Sequence, residues 1–199
     1  MSVNTMDFKD AAAILNNIRK QVTGETAIAP ANTAEFVSVA TTLLQAGYTN
    51  LYLFDRENTL RQLEEYCTDA DFVFHLAGVN RPVDVKEFYE GNTDFSKNLL
   101  DILAAKGNKA PVVVSSSIQA LLDNDYGKSK KAGEDLIFAY GKETGAKVLV
   151  YRFPNLFGKW CRPNYNSVIA TFSHNMAHYL PITVNDPAVE LELLYIDDL

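Results

Sequence analysis

Short apolar runs alternate with amphipathic stretches from about residue 50 to residue 152. The apolar runs have the length and composition of buried strands, and they lie at 51–54, 71–78, 112–114 and 147–151. The stretches between them repeat apolar residues at helical spacing, which predicts helices at 59–67, 84–90, 92–106 and 126–144. Strands that alternate with helices predict an α/β fold, a doubly wound parallel sheet with helices on both faces.

The two ends of the chain have a different pattern. Helical spacing predicts a helix at 7–22 and another at 33–46, with Asn32 as its cap. Beyond Arg152, the pattern predicts a loop at 158–165, a helix at 166–179 and a strand at 189–196.

Tyr126 and Lys130 are the residues best suited to chemistry. Four residues apart, they lie on one face of the predicted helix at 126–144. An ammonium beside a phenol stabilises the phenolate and lowers the pKa of the tyrosine. With a hydroxyl from Ser115–Ser117, such a pair can give a proton to a carbonyl oxygen or take one from an alcohol. Tyr-x-x-x-Lys also occurs on solvated helix faces, but its position just after a strand that ends in serines favours chemistry.

Polar segments follow several of the predicted strands. They are Asp55-Arg56, residues 78–81, Ser115–Ser117 and Asn155. Ligands of parallel sheets bind at the carboxyl ends of the strands, so these segments are expected to converge on one crevice.

Composition excludes several classes of function. The net charge of −7 and the lack of a basic run exclude a nucleic-acid partner, and no apolar run is long enough to predict a membrane partner. Two distant cysteines and an N-terminus without a signal pattern predict a soluble, cytoplasmic protein. His174 and His178 have the spacing of a metal pair, although packing is the favoured interpretation, and His75 is expected to be a hydrogen-bonded core residue.

Several motifs together resemble one family. They are residues 71–78, Asn92, Ser115–Ser117, Tyr126-x-x-x-Lys130, residues 151–158 and residues 195–198. These segments resemble the extended short-chain dehydrogenase/reductase family. Within it, residues 75–82, 115–120 and 157–167 are similar to the CapF-like reductases of capsular-polysaccharide biosynthesis. Such enzymes act on UDP-linked 4-keto-6-deoxy amino sugars on the route to UDP-N-acetyl-L-fucosamine.

The resemblance implies roles for individual residues. Tyr126 would be the general acid, Lys130 would lower its pKa and bind the nicotinamide ribose, and Ser117 would hold the substrate carbonyl. Hydride would come from NADPH, because Arg56 can pair with a 2′-phosphate; the alternative is that Arg56 is a solvated loop cation. The residues expected to bind the cofactor are Asp55, Arg56, Leu76, Ala77, Gly78 and Lys130. Those expected to bind the nucleotide sugar are Asn80, Arg81, Asn155, Arg162, Asn164 and Asn166. The alternative is loop hydrogen bonding for Arg81, Arg162, Asn164 and Asn166, and a structural role for Asn155.

The chain departs from the family at both ends. The family's glycine-rich turn, which lets backbone approach a pyrophosphate, would here fall on Asn32, Glu35 and Ser38. At the other end, the sequence stops at Leu199, and we expect a truncated substrate-binding region without the C-terminal cupin domain of CapF-like proteins. We therefore expect an atypical helical segment at 1–48, an NAD(P)-binding Rossmann-like core at 49–152 and a partial substrate-binding region at 153–199.

Three functions remain open at this point. The chain is an NADPH-dependent nucleotide-sugar reductase, an inactive reductase-derived binding domain, or an epimerase or dehydratase with the same fold. The missing glycine turn makes cofactor binding and turnover doubtful. A homodimer is also expected, because members of the family that the chain resembles often form one.

Overall fold

The computed structural model describes residues 33–48, 50–55, 58–80, 82–159 and 161–199. These residues fall into two compact units. The core unit comprises Leu51–Arg152, and the second unit comprises Thr33–Asn50 together with Phe153–Leu199. The predicted helix at 7–22 and the capping role of Asn32 lie outside the described residues.

The elements, in chain order, are helices and short parallel strands. The helices are α1 (Thr33–Gln45), α2 (Leu60–Asp69), α3 (Lys86–Tyr89), α4 (Phe95–Ala105), α5 (Asp125–Thr144) and α6 (Val168–Ala177). The strands are β1 (Val73–His75), β2 (Val112–Ser117), β3 (Val148–Phe153), β4 (Asn155–Phe157) and β5 (Leu193–Tyr195). A π-helical turn (Glu90–Asp94) joins α3 to α4, and 3₁₀ turns follow β2 (Ile118–Leu121) and β5 (Ile196–Asp198).

The core unit is built on a sheet with strand order β1-β2-β3. Strands β1 and β2 are parallel, with His75 opposite Val114. Leu103, Val112 and Ile137, from α4, β2 and α5, are completely buried at the centre of the apolar core. This arrangement confirms the predicted α/β fold with a parallel sheet.

The segment at 51–54 was predicted as a strand, and that prediction is wrong. Residues 51–55 form no strand, and aromatic packing holds them instead. The Tyr52 ring stacks on Tyr66 at 4.7 Å between centroids, and the Phe54 ring stacks on Phe95 at 5.7 Å. An apolar run shows that a segment is buried, but a strand also needs a neighbouring backbone to form its hydrogen bonds.

The helices predicted at 84–90 and 92–106 are one continuous helical run. The π-helical turn lies in its middle and places Asn92 in the interior, where its side chain is buried. Gly91 packs against the loop after β1, since a Cβ at this position would lie 2.3 Å from Cγ2 of Val79. The run therefore approaches that loop more closely than a larger residue would allow.

Helix α5 has well-defined ends. The side chain of Asn124 accepts a hydrogen bond from the backbone N–H of Gly127 at 2.7 Å, which caps the first turn. Gly145 ends the helix in the left-handed conformation, at φ 75°. The cap fixes the start of the helix directly before Tyr126.

The second unit contains a parallel pair, β4 and β5, with Asn155 opposite Leu193 and Phe157 opposite Tyr195. Strand β4 was not predicted, and the strand predicted at 189–196 is limited to β5. Gly158 has φ 116°, and a Cβ there would lie 2.4 Å from the Tyr195 ring. Only glycine therefore fits at the turn that follows β4.

The buried face of α5 supplies the first prediction. Replacing Ile137, which is completely buried, by alanine removes core contacts and leaves a cavity, so the free energy of unfolding should fall by about 2–5 kcal/mol. Phe138→Ala on the next residue is the matched control, because half of that ring is exposed. Urea unfolding measures both, and an equal loss in the two variants would contradict the assignment of the buried face.

Candidate active site

The carboxyl ends of β1 and β2 lie at the same edge of the sheet, because the two strands are parallel. Leu76–Gly78 follows β1 directly, and Ser115–Ser117 forms the end of β2. The backbone predicted to approach a cofactor thus lies beside the serines predicted to approach a substrate. The serines belong to the strand itself, which extends three residues beyond the predicted apolar run.

Lys130 and Tyr126 meet at this edge. The Lys130 ammonium is buried, donates to the backbone carbonyl of Ser115 at 3.3 Å and lies 6.0 Å from the centre of the Tyr126 ring. The Tyr126 ring packs on Phe88, with 5.6 Å between centroids. A positive charge in this position favours the ionised form of a phenol. The four-residue spacing thus brings the two side chains together as predicted, and their acid–base roles stay predictions.

Ser117 begins the 3₁₀ turn that follows β2. Its Oγ accepts a hydrogen bond from the backbone N–H of Gln119 at 3.2 Å. A hydroxyl that accepts in this way keeps its own hydrogen for another acceptor, such as a carbonyl oxygen.

Gly127 lets the 3₁₀ turn pack on the first turn of α5. A Cβ on Gly127 would lie 2.3 Å from the carbonyl oxygen of Gln119 and 2.5 Å from that of Leu122. The missing side chain therefore brings the turn that Ser117 begins close to the residue after Tyr126.

Asn92 joins the loop after β1 to α5. Its side chain accepts from the backbone N–H of Val79 at 2.8 Å and donates to the Val79 carbonyl at 3.1 Å. It also donates to Oγ of Ser129 at 3.0 Å, and that hydroxyl donates to the Tyr126 carbonyl at 2.8 Å. The buried amide thus links the predicted cofactor loop to the helix turn that carries Tyr126.

His75 is held beneath this site in its neutral form. Its Nε2 lies 2.7 Å from Oγ of Ser96, which donates to the backbone carbonyl of Asn92 at 2.9 Å. Because that hydroxyl already donates its hydrogen, Nε2 carries the proton. Burial, with the nearby Lys130 charge, lowers the pKa of His75 to about 4. The interpretation of His75 as a hydrogen-bonded core histidine is confirmed.

Glu134 carries a buried carboxylate one helical turn beyond Lys130. Arg152 on β3 binds it through two hydrogen bonds, of 2.8 and 2.6 Å, and the Ser116 hydroxyl donates to it at 2.6 Å. Burial alone would raise the pKa of this carboxyl, but these hydrogen bonds and the Arg152 charge hold it below its usual value.

This cluster of Glu134, Arg152 and Ser116 was missed in the sequence. The signal that was present is the four-residue spacing between Lys130 and Glu134, which places both on one face of α5.

The predicted cofactor-binding residues are described in part. Asp55 lies in a turn, where its backbone N–H donates to Oδ1 of Asn58 at 2.7 Å. Arg56 and Arg81 lie outside the described residues, while the side-chain oxygen of Asn80 is buried. Their binding roles stay predictions.

The remaining predicted substrate residues belong to the second unit. The Asn155 amide donates to the Glu192 carbonyl at 3.3 Å, and the Arg162 guanidinium lies 5.8 Å from the centre of the Tyr165 ring. Asn164 adopts a left-handed conformation at φ 56°, and Asn166 ends the turn that precedes Ser167. The hydrogen bond of Asn155, which lies in β4, fits the structural role that is its alternative, while substrate binding by all four residues stays a prediction.

The part of the chain that the structure describes contains neither a cluster of possible metal ligands nor a helix suited to cross a membrane. The His174 and His178 rings lie 4.2 Å apart between centroids, but no group of three or more His, Cys, Asp or Glu residues there could hold a metal ion. In the same residues, no helix has both the length and the apolar character needed to cross a membrane.

Comparison with known proteins decides the family. Residues 37–199 match the NAD dependent epimerase/dehydratase family. The chain belongs to this family. A relative from Pseudomonas aeruginosa, UDP-2-acetamido-2,6-beta-L-arabino-hexul-4-ose reductase, is 44% identical over 156 residues, which are 78% of this chain and 42% of the relative.

Solved structures agree with this assignment. The capsular polysaccharide assembling protein CapF from Staphylococcus aureus is 48% identical, with a TM-score of 0.66 over 80% of this chain and 44% of that one. UDP-glucuronic acid 4-epimerase from Bacillus cereus, in complex with NAD, is 19% identical with a TM-score of 0.65 over 81% of this chain and 57% of that one, and it shows a shared fold. The predicted family and its Rossmann-like fold are confirmed, and the chain spans less than half the length of the Pseudomonas aeruginosa and Staphylococcus aureus relatives.

The buried His75 generates a prediction about pH. Its pKa is about 4 in the folded chain and near 6.5 when unfolded, so the unfolded chain binds the extra proton between these values. The stabilisation is complete above pH ~6.5 and is lost as the pH falls towards 4, amounting to about 3 kcal/mol. In His75→Gln, which keeps an N–H donor but does not titrate, urea unfolding between pH 7.5 and 4 should show a correspondingly weaker pH dependence.

Ser96→Ala is the control for this measurement, because it removes the hydrogen-bond partner of His75 but no titrating group. It should lower stability and keep the pH dependence of the parent chain. The same pH dependence in His75→Gln and in the parent chain would contradict the neutral, buried histidine.

Proposed function

We propose that the chain is the catalytic part of an NADPH-dependent reductase of a UDP-linked 4-keto-6-deoxy amino sugar, of the kind used to make UDP-N-acetyl-L-fucosamine for surface polysaccharide. The observation that carries the proposal is the buried Lys130 ammonium, bound to the end of β2 and next to the Tyr126 ring. The 44% identity to a reductase of a UDP-linked ketosugar supports the substrate class.

The residues at the sheet edge fit a dinucleotide cofactor. Ala77 and Gly78 have little or no side chain, so a ligand at the carboxyl ends of β1 and β2 would approach the backbone after β1 closely. Lys130 would bind the nicotinamide ribose, Leu76–Gly78 would line the site, and Asp55 with Arg56 would hold the adenosine end, where Arg56 favours NADP over NAD. When bound, NADPH supplies a hydride to the substrate carbonyl carbon.

Residues of the chain donate the proton and stabilise the anion that remains. Tyr126 donates its phenolic hydrogen to the carbonyl oxygen, which becomes the hydroxyl of the product. The Lys130 ammonium stabilises the phenolate that remains. Ser117, whose Oγ is held by the N–H of Gln119, donates to the same carbonyl oxygen and orients it.

The residues proposed to bind the sugar nucleotide follow β1 or β3 in the sequence. Asn80 and Arg81 follow β1, and Asn155, Arg162, Asn164 and Asn166 follow β3. Arg162 is suited to a diphosphate, because a guanidinium can form paired hydrogen bonds to phosphate oxygens. We also propose a cytoplasmic location and a homodimer, in line with the sequence-based expectations.

The matched variants Tyr126→Phe and Tyr66→Phe test this function. Without its phenol, the Tyr126 variant should oxidise NADPH in the presence of the UDP-linked ketosugar at least ~100-fold more slowly, because general acid catalysis contributes about that factor. Its dissociation constant for NADPH, measured by calorimetry, should remain close to that of the parent chain. Tyr66→Phe loses a hydroxyl on α2 but keeps its stacked ring, and its rate should be that of the parent chain.

The outcomes separate the three open functions. Equal rates in both variants would remove Tyr126 from the mechanism. An epimerase would convert its nucleotide sugar without consuming NADPH. No binding of NADPH by the parent chain would leave the inactive binding domain as the function.

A further inference from the structure

We propose that Glu134 is a positioning residue that fixes Lys130 beside Tyr126 by clamping the end of β2 to α5. The catalytic meaning of this proposal rests on the reductase function proposed above. The clamp itself is a property of the folded chain, and it can be tested without turnover.

The clamp joins three elements through one carboxylate. Glu134 on α5 has a side chain that is 1% exposed, and it binds Ser116 on β2 and Arg152 on β3. Arg152 approaches through both Nε and a terminal nitrogen, a geometry that fixes orientation as well as distance. A displacement of either strand relative to the helix would therefore stretch hydrogen bonds to a buried charge.

The clamp is adjacent to the groups that hold the proton donor. Ser116 lies between Ser115, whose carbonyl accepts the Lys130 ammonium, and Ser117, the predicted ligand of the substrate carbonyl. Glu134 lies four residues beyond Lys130, which is about one helical turn and a rise of about 6 Å. The same two elements are thus joined twice within one turn, by Glu134 to Ser116 and by Lys130 to Ser115.

Stability alone does not account for such a cluster. Removing a charge from water is costly, and here the Glu134 carboxylate is removed from it almost completely, whereas 34% of the Arg152 side chain stays exposed. Removing one partner leaves a buried charge unpaired, so the arrangement in which Glu134 is paired is strongly favoured over one in which it is not. The cluster therefore restricts geometry, and the geometry it restricts is that of Lys130 and the end of β2.

Ser116→Ala is the most selective test, because it removes one hydroxyl and leaves the pair of Glu134 and Arg152 intact. Glu134→Gln keeps the size of the side chain and removes its charge. The readout is the titration of the Tyr126 phenol, followed by NMR of ¹³C-labelled tyrosine and assigned with Tyr126→Phe. In Ser116→Ala the phenol should titrate at higher pH than in the parent chain, because the Lys130 ammonium is held less closely. In Glu134→Gln the lost negative charge acts in the opposite direction, so the sign of the shift is read from Ser116→Ala.

If the parent chain reduces the ketosugar, enzyme kinetics give a second measurement. In Ser116→Ala, kcat should fall about tenfold or more with KM nearly unchanged, because small displacements of catalytic groups are costly. Tyr140→Phe is the control, since it removes a hydrogen bond from the same helix to the Asn108 carbonyl at 3.1 Å, away from the site. It should lower stability without moving the titration of Tyr126.

The proposal is overturned if Ser116→Ala and Glu134→Gln lower stability as Tyr140→Phe does but leave the Tyr126 titration and kcat unchanged. If Glu134→Gln does not fold, Ser116→Ala alone decides. A parent chain that does not oxidise NADPH would refute the reductase function, and the NMR titration would still decide whether Glu134 positions Lys130.

Discussion

The carboxylate of Glu134 is the constraint on which the core unit depends most directly. A charge that is almost completely removed from water must be paired, and its two partners come from different strands. This requirement fixes α5 against β2 and β3 with a directional interaction that apolar packing alone does not provide. Lys130 adds a second bond between α5 and β2 one turn earlier, through the Ser115 carbonyl. The tyrosine, lysine and serine of the proposed site thus lie on elements that polar contacts hold in register.

A second group of buried polar contacts lies next to the same edge of the sheet, at the carboxyl ends of β1 and β2. The Asn92 amide binds both backbone groups of Val79 and the Ser129 hydroxyl. His75 and Ser96 continue these contacts into the interior, with the histidine neutral. The interior under the site is therefore polar but satisfied at these residues, and among these buried groups Lys130 carries the positive charge. These contacts describe the part of the chain that resembles known proteins, a part that covers less than half the length of the Pseudomonas aeruginosa and Staphylococcus aureus relatives.

Much of the core unit could be predicted because its signals are local. Helical spacing located α5 to within a residue, and the distance from Tyr126 to Lys130 fixed their common face. The segment at 51–54 failed as a strand because pairing depends on a distant backbone, and the Tyr52 and Phe54 rings pack against helices instead. The Glu134 cluster was missed for a similar reason. Its partners are each 18 residues away, on Ser116 before it and on Arg152 after it, and sequence spacing does not show which strands flank a helix.

The most direct measurement of the central claim is the fate of the hydride. The chain would be incubated with the UDP-linked 4-keto-6-deoxy amino sugar and NADPH that carries deuterium at both C4 positions of the nicotinamide, and the sugar would be analysed by mass spectrometry and NMR. The account predicts a reduced sugar with one deuterium on the carbon that bore the carbonyl. An unchanged sugar, or a product without deuterium, would contradict it.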